Sequence, residues 1–397
     1  MQFCSLVLFA STVAGAVEQL QAAEEQPGLS LWPLPYSSKI LGPACLRISA
    51  DTFTIRTEGN NGSAILQAAI ERTTATMFLE GAPQQPCTSA RGVGASAVAE
   101  LAVVVQSSDE TLGPKTAENY TLSITAPQAR LTAPTVYGAL RGLQTFSQLT
   151  FGGGGVGYGG TSGTGARGSA AAAAAAANPT RFLPSALIVD KPRYGYRALM
   201  IDTARLFRPV ALLEAMMDAM EAAKMNALYL HLTDDGCWPV EILSYPLLAT
   251  NCSKGCVILN GSSTTGHQFY SQSDIRRLVN YGLLRGIRII PEIDSPGHFD
   301  TQACYPNLLT VADYPCPGAG PGKGTFTGPP DPSNPELWAF FKSVYAELAT
   351  LFPDPYVSLG GDEAWLTPWS CSPVRRYQSL SGFHRESAQE RSKSPPP

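Results

Sequence analysis

From Arg197 to Glu363 one local theme recurs four times: a short apolar or β-branched run ends in acidic residues, and a helical stretch follows. The runs are Arg197–Asp202, Leu228–Asp235, Ile287–Asp294 and Tyr356–Glu363. Between them, Pro209 opens an amphipathic stretch carrying Leu212, Leu213, Met216 and Met220. Ser271 or Ser273 caps a second, carrying Ile275, Leu278 and Val279. Ser333 and Pro335 begin a third, carrying Leu337, Phe340, Phe341, Val344 and Leu348. Strand-then-helix repetition predicts a parallel sheet, because parallel neighbours need a crossover connection. Such folds place their chemistry at the C-terminal strand ends, where all four runs carry their acids. The Met and Phe stripes read as core packing.

Upstream, composition breaks sharply over residues 151–180. The Gly-rich run and the alanines Ala170 to Ala177 have nothing to build a core with, so they read as a low-complexity insertion. Residues 28–150 mix strand signals (Phe53–Thr57, Leu101–Val105, Tyr120–Ile124) with helical periodicity over Ser63–Glu80 and Val136–Leu149, which predicts an α+β domain. Residues 1–16 end in Ala14-Gly15-Ala16 and read as a signal peptide, residues 190–375 as the second domain, and residues 376–397 as a disordered tail. The sequons at Asn61, Asn119, Asn251 and Asn260 also point to the secretory route. Nine cysteines include Cys4 in the presumed signal. The remaining even number, without zinc-type spacing, favours disulfides.

Charge excludes other classes. With 28 Lys and Arg against 32 Asp and Glu, the net charge of −4 shows no basic stripe for nucleic acid or an anionic membrane. Outside the N-terminus no apolar run approaches the roughly 20 residues of a spanning helix. Disorder throughout is excluded by a hydrophobic content of 44%.

An Asp after a strand is commonly a turn former or helix cap. That reading is poor for Leu359-Gly360-Gly361-Asp362-Glu363, where two glycines allow a tight turn beside adjacent acids. A metal hydrolase could draw on His231, Asp234, Asp235 and His298. Strand alternation, however, points His231 away from the face of Leu230 and Leu232, and no compact metal-binding motif occurs. Glycoside hydrolysis needs an acid of raised pKa beside a second carboxylate, which crowded acids supply through repulsion and burial.

Six segments, in order, resemble the β-N-acetylhexosaminidases of glycoside hydrolase family 20. They are LWPLP at Leu31–Pro35, the stretch Glu118–Leu149 with ENYTLSI and VYGALRGLQTFSQL, KPRYGYRALMIDTAR at Lys191–Arg205, KMNALYLHLTDDGCWPVE at Lys224–Glu241, YGLLRGIRIIPEIDSPGH at Tyr281–His298, and LGGDE at Leu359–Glu363. The resemblance implies an α/β chain in which the N-terminal α+β domain precedes an incomplete (β/α)8 TIM barrel of about four strands. It implies retaining hydrolysis of terminal, non-reducing β-linked N-acetylhexosamine, with the substrate's own acetamido carbonyl as nucleophile and an oxazolinium intermediate. Glu363 would be the general acid, later the base, and Asp362 would orient and stabilise the acetamido group. Arg205 would hold sugar hydroxyls, with Asp234 and His298 lining the pocket and supporting the acid.

No cofactor or metal is implied. The partners implied are N-acetylglucosaminide or N-acetylgalactosaminide glycoconjugates or chitooligosaccharides, and a homodimer is compatible; the location implied is lysosomal, vacuolar or extracellular. Family context favours Cys45–Cys87, with Cys316 and Cys371 as barrel candidates; Cys252–Cys256 is a local third pairing. The stretch from Lys191 onward is shorter than the roughly 250 residues of a whole barrel. The expectation is therefore a truncated chain with half a barrel and no hexosaminidase activity of its own. The alternative is a non-catalytic carbohydrate-binding or partner module.

Overall fold

The computed structural model describes residues 29–59, 62–78, 95–152, 180–255, 257–258, 268–299, 301, 303–309, 329–364 and 369. The presumed signal, most of the Gly/Ala insertion, the tail, Asn61, Asn260, Cys87, Cys256, Cys316 and Cys371 lie outside them. Two compact units divide near Pro192, with residues 64–68 and 109–117 grouped with the second. Among the described residues no helix is long and apolar enough to cross a membrane.

The first unit is built on one mixed sheet. Its strands are β1 (Ser37–Ser49), β2 (Thr54–Gly59), β3 (Glu100–Val105), β4 (Tyr120–Ile124), β5 (Gln128–Ala133), β6 (Phe151–Gly152) and β7 (Thr180–Asp190). The order is β1-β7-β4-β5-β3-β2, with β6 also on β7. Helix α1 spans Ala64–Met77 and α2 spans Val136–Leu149. The side chain of Thr135 caps α2 by accepting from Gly138 N at 3.1 Å. Leu140, Leu143 and Phe146 of α2 are buried as its periodicity predicts, and Phe146 stacks on Phe53 with centroids 5.9 Å apart. A Cβ on Gly142 would collide with the Leu131 side chain of β5, so this glycine lets α2 seat closely on the sheet. Arg141 and Glu118, both buried, pair at 2.8 Å.

β1, β5, β6 and β7 carry no strand assignment from the sequence, and β7 is the most consequential of them. It follows the insertion yet returns to the first sheet, antiparallel to both β1 and β4. It is buried throughout Arg181–Pro184 and then alternates, with Ala186 and Ile188 inside and Leu187 and Val189 exposed, as an antiparallel strand with one covered face does. Pro184, which has no N–H to donate, lies opposite Cys45, next to the register shift of β1.

The second unit repeats strand and helix. β8 (Ala198–Asp202), β10 (Ala227–His231) and β12 (Arg288–Glu292) form a parallel sheet in the order β12-β10-β8. A short pair, β9 (Leu206–Phe207) and β11 (Val257–Ile258), lies apart. Helices α3 (Val210–Ala222), α4 (Leu247–Thr250), α5 (Gln272–Leu283) and α6 (Pro335–Leu351) follow in chain order. Leu213, Met217 and Met220 of α3, Ile275 and Leu278 of α5, and Leu337, Phe340, Phe341, Val344 and Leu348 of α6 share one buried core. Met217 therefore takes the inward position expected of Met216. Ser271 caps α5 in a capping box with Asp274. Asn334 caps α6 in place of the expected Ser333, whose own hydroxyl donates to Asp331 at 2.6 Å.

The fourth expected strand, Tyr356–Glu363, is reduced to one parallel bridge between Ser358 and Glu292. Ser358 N donates to Pro291 O at 2.9 Å, and Ser295 N donates to Leu359 O at 3.1 Å. Pairing stops there because Gly360 and Gly361 take φ of 58° and 108°, turning the chain out of the sheet.

Cys252 pairs with Cys304 across 52 residues, which overturns the local Cys252–Cys256 pairing. Cys45 and Cys237 are also disulfide-bonded. A loop of this length is worth about 4 kcal/mol in the chain-entropy account. Cys304→Ser is expected to lower unfolding stability by about 2–4 kcal/mol in urea titration, and a loss below about 1 kcal/mol would contradict it.

Candidate active site

In-register parallel pairing sets the C-terminal ends of β8, β10 and β12 side by side, with His231 opposite both Asp202 and Glu292. The loops beyond these ends carry the remaining polar groups. Asp202 accepts from the backbone N of Ala204 at 3.0 Å and of Arg205 at 2.9 Å, which folds the loop back on itself. Arg205 Nη1 then reaches Asp202 Oδ2 at 2.9 Å while Nη2 reaches Asp234 Oδ2 at 2.7 Å. The same Nη2 lies 3.4 Å from His298 Nδ1.

His298 sits where two loops meet. It takes φ of 52° and Glu363 takes 49°, both in the left-handed region that disfavours side chains bearing a Cβ. His298 Nδ1 is 3.6 Å from Asp234 Oδ1, and Nε2 is 3.3 Å from Glu363 Oε2 and 4.0 Å from Asp362 Oδ2. The Nε2 contacts are ion-pair distances without hydrogen-bond alignment. The loops also touch through backbone: a Cβ on Gly297 would strike the Asp362 carbonyl, and one on Gly360 the Asp294 carboxylate. Gly361 N donates to Asp294 Oδ1 at 2.8 Å, and Asp294 N donates to Thr233 Oγ1 at 2.8 Å.

Five residues expected at the site therefore converge: Arg205, Asp234, His298, Asp362 and Glu363. Their exposure differs. The Asp234 side chain is 6% exposed, whereas Asp362 and Glu363 are 72% and 78% exposed.

Four more residues belong to the same cluster. Asp202, Glu292 and Asp294 are strand-end acids of the repeated theme. His231 is a correction: the alternation argument turned it away, yet its Nδ1 lies 2.5 Å from Glu292 Oε1 and its Nε2 3.2 Å from Asp234 Oδ2. Alternation does set His231 on the face opposite Leu228 and Leu230, but β10 is a central strand buried on both faces, and the face away from those leucines is the one that carries the site.

Electrostatics sort the acids. Burial pushes Glu292 and Asp294 above the usual carboxylate range. Burial also opposes ionisation of Asp234, but hydrogen bonds from His231 and the Asp235 amide, with the charges of Arg205 and His298, hold it below that range. A raised carboxyl keeps its proton in the folded state while the unfolded chain releases it, so its effect is a loss of stability as pH rises through the folded value. Asp294→Asn is expected to flatten that loss as pH rises above the ordinary aspartate range in chemical denaturation. An unchanged slope would contradict the burial argument.

Several triplets bring ligand-type atoms within 4.8 Å of one another, among them Asp202–His231–Asp234 and Asp234–Asp235–His298. A cation in the first would have to displace Arg205, whose guanidinium already bridges Asp202 and Asp234.

Residues 194–390 match the family model described as glycosyl hydrolase family 20, catalytic domain, and residues 31–149 match the beta-acetyl hexosaminidase like domain. Beta-hexosaminidase subunit beta of Felis catus is 33% identical over 369 residues, covering 90% of this chain and 62% of that protein. Beta-hexosaminidase subunit alpha of Rattus norvegicus is 31% identical, covering 81% of this chain and 54% of that protein. The chain thus spans between about half and two thirds of the length of the curated relatives it matches.

Among solved structures, a chitobiase of Flavobacterium johnsoniae aligns with TM-score 0.66 at 25% identity, over 90% of this chain and 48% of that one. The family 20 β-N-acetylhexosaminidase of Streptomyces coelicolor aligns with TM-score 0.58 at 27% identity, over 86% and 61%. These neighbours define an α/β fold of the kind whose catalytic domain is a TIM barrel. The chain belongs to glycosyl hydrolase family 20.

Proposed function

We propose that this site hydrolyses terminal, non-reducing β-linked N-acetylglucosamine or N-acetylgalactosamine. The observation that carries the reading is the connected series Asp202–Arg205–Asp234–His298–Glu363 at the strand ends of a family 20 chain. In this reading Arg205, anchored at two carboxylates, presents its remaining N–H donors to sugar hydroxyls. Glu363 protonates the glycosidic oxygen and later activates water, supported by His298. Asp362 orients the acetamido N–H, whose carbonyl attacks the anomeric carbon, and stabilises the charge that develops. Residues 28–150 and 190–375 serve as N-terminal and catalytic domains. The Cys252–Cys304 bond supports the secretory route.

The test compares a fluorogenic N-acetylglucosaminide with the plain glucoside. Strong preference for the acetamido substrate is expected, and equal rates would remove the acetamido group from the mechanism. The exposure of Asp362 and Glu363 favours a second reading, in which the 397-residue polypeptide binds the sugar with impaired turnover, since water there screens the acids. Saturable binding of N-acetylglucosamine without turnover would select it.

A further inference from the structure

We propose that His231 and Glu292 act as a buried brace that positions Asp234, and through it the Arg205 fork, for the sugar. The assignment deepens the glycosidase reading and rests on it. Neither residue can touch a substrate, since their side chains are 4% and 6% exposed. Both oxygens of Glu292 are occupied. Oε1 meets His231 Nδ1 at 2.5 Å, and Oε2 accepts the Ser358 hydroxyl at 2.6 Å. Ser358 in turn accepts from the Tyr229 hydroxyl at 2.6 Å. The brace therefore ties the end of β10 to β12 and to the loop that carries Asp362 and Glu363.

Its working end is Asp234 Oδ2, which receives His231 Nε2 at 3.2 Å and Arg205 Nη2 at 2.7 Å. An aspartate carboxylate turns over a broad, roughly two-fold torsional range unless something holds it. Here the Asp235 amide holds Oδ1 at 2.7 Å and His231 holds Oδ2, so the oxygen facing Arg205 is always the same one. Arg205 needs such an anchor because its side chain is 51% exposed and rich in rotamers. Stability does not account for the arrangement: burying a carboxylate with a polar partner is often no better than packing apolar residues of equal volume.

The test titrates N-acetylglucosamine into the wild-type chain, His231→Gln, Ser358→Ala, Arg205→Ala and the His231→Gln/Arg205→Ala double variant, with thermal unfolding recorded for each. His231→Gln should weaken binding about tenfold, within the coupling range of residues in one hydrogen-bond network. In the Arg205→Ala background the same change should add less than about twofold. A merely structural role would weaken both backgrounds alike, and that result, or unchanged affinity in His231→Gln, overturns the brace while leaving the glycosidase reading intact. Absence of any binding by the wild-type chain overturns both together. If His231→Gln does not fold, Ser358→Ala decides the question: a few-fold weakening with the fold retained supports the brace, and unchanged affinity overturns it.

Discussion

Glu363→Gln is expected to lower kcat/KM on N-acetylglucosaminides with poor leaving groups by about 10²–10⁴-fold, because an amide N–H is far too weak an acid to protonate the leaving oxygen and general acid catalysis is worth that much. A leaving group that departs without protonation should hide most of the loss. Asp362→Asn should behave differently and reduce the rate for good and poor leaving groups alike, since it removes charge stabilisation and not proton donation. The contrast separates the two roles: a silent Asp362→Asn would reject the acetamido-orienting role, and a leaving-group-independent Glu363→Gln would reject the acid role. Neither substitution should disturb the fold, because both side chains are exposed and the turn that holds them depends on Gly360, Gly361 and the bond from Gly361 N to Asp294. Circular dichroism of both variants should match the wild type.

Asp234→Ala is expected to be the most destabilising single change at the site, by about 2–4 kcal/mol at pH 7. It removes a buried carboxylate that receives His231 Nε2, the Asp235 amide and Arg205. Charge-assisted hydrogen bonds to buried groups supply most of that figure, at about 1.5–3 kcal/mol each before relaxation. The Arg205 pair contributes little, since half of that side chain is in water and exposed ion pairs are worth about 0–1 kcal/mol. The sign with pH follows from the lowered pKa of Asp234. Its contribution is present above the ordinary aspartate range and is lost as pH falls through the folded value. The gap between wild type and variant, read from urea unfolding, should therefore narrow in acid. A gap that widened in acid would mean that Asp234 is held protonated in the fold.

Much of this was legible locally. The repeated strand-then-acid theme located β8, β10, β12 and the turn before Asp362, and the apolar spacing of α5 and α6 picked out residues that are in fact buried, except Val279, which is only partly so. The start of α5 was legible to within Ser271 or Ser273, and the structure selects Ser271 in a capping box with Asp274. Asp234, Asp362 and Glu363 were legible as acids at strand ends, which must come together in a parallel sheet, and His298 as a residue of the loop beyond one of them, whereas Arg205 and the role of each residue came only from the family resemblance.

Other features depend on which segments meet. His231 was misjudged because the face of β10 opposite Leu230 was taken to lie away from the site, whereas β10 is buried on both faces and that second face is the one that meets Glu292 and Asp234. Glu292 becomes its partner through the register of β10 on β12, which no local signal states. Cys252 finds Cys304 and not the nearer Cys256 because a disulfide follows the distance between Cα atoms in the fold, here 5.6 Å, and not separation along the chain. β7 joins the first sheet across the Gly/Ala insertion for a related reason: its partners β1 and β4 are remote along the chain, and pairing with them buries Phe182, Leu183, Ala186 and Ile188. The sequence by itself determined β8, β10 and β12, the helices α3, α5 and α6 between and after them, and the acids at the strand ends, since those follow from side-chain periodicity within a few residues. Only the tertiary structure decided the His231–Glu292–Asp234 connection, the disulfide and the exposure of the Asp362–Glu363 pair, because each is a property of the space between segments remote along the chain.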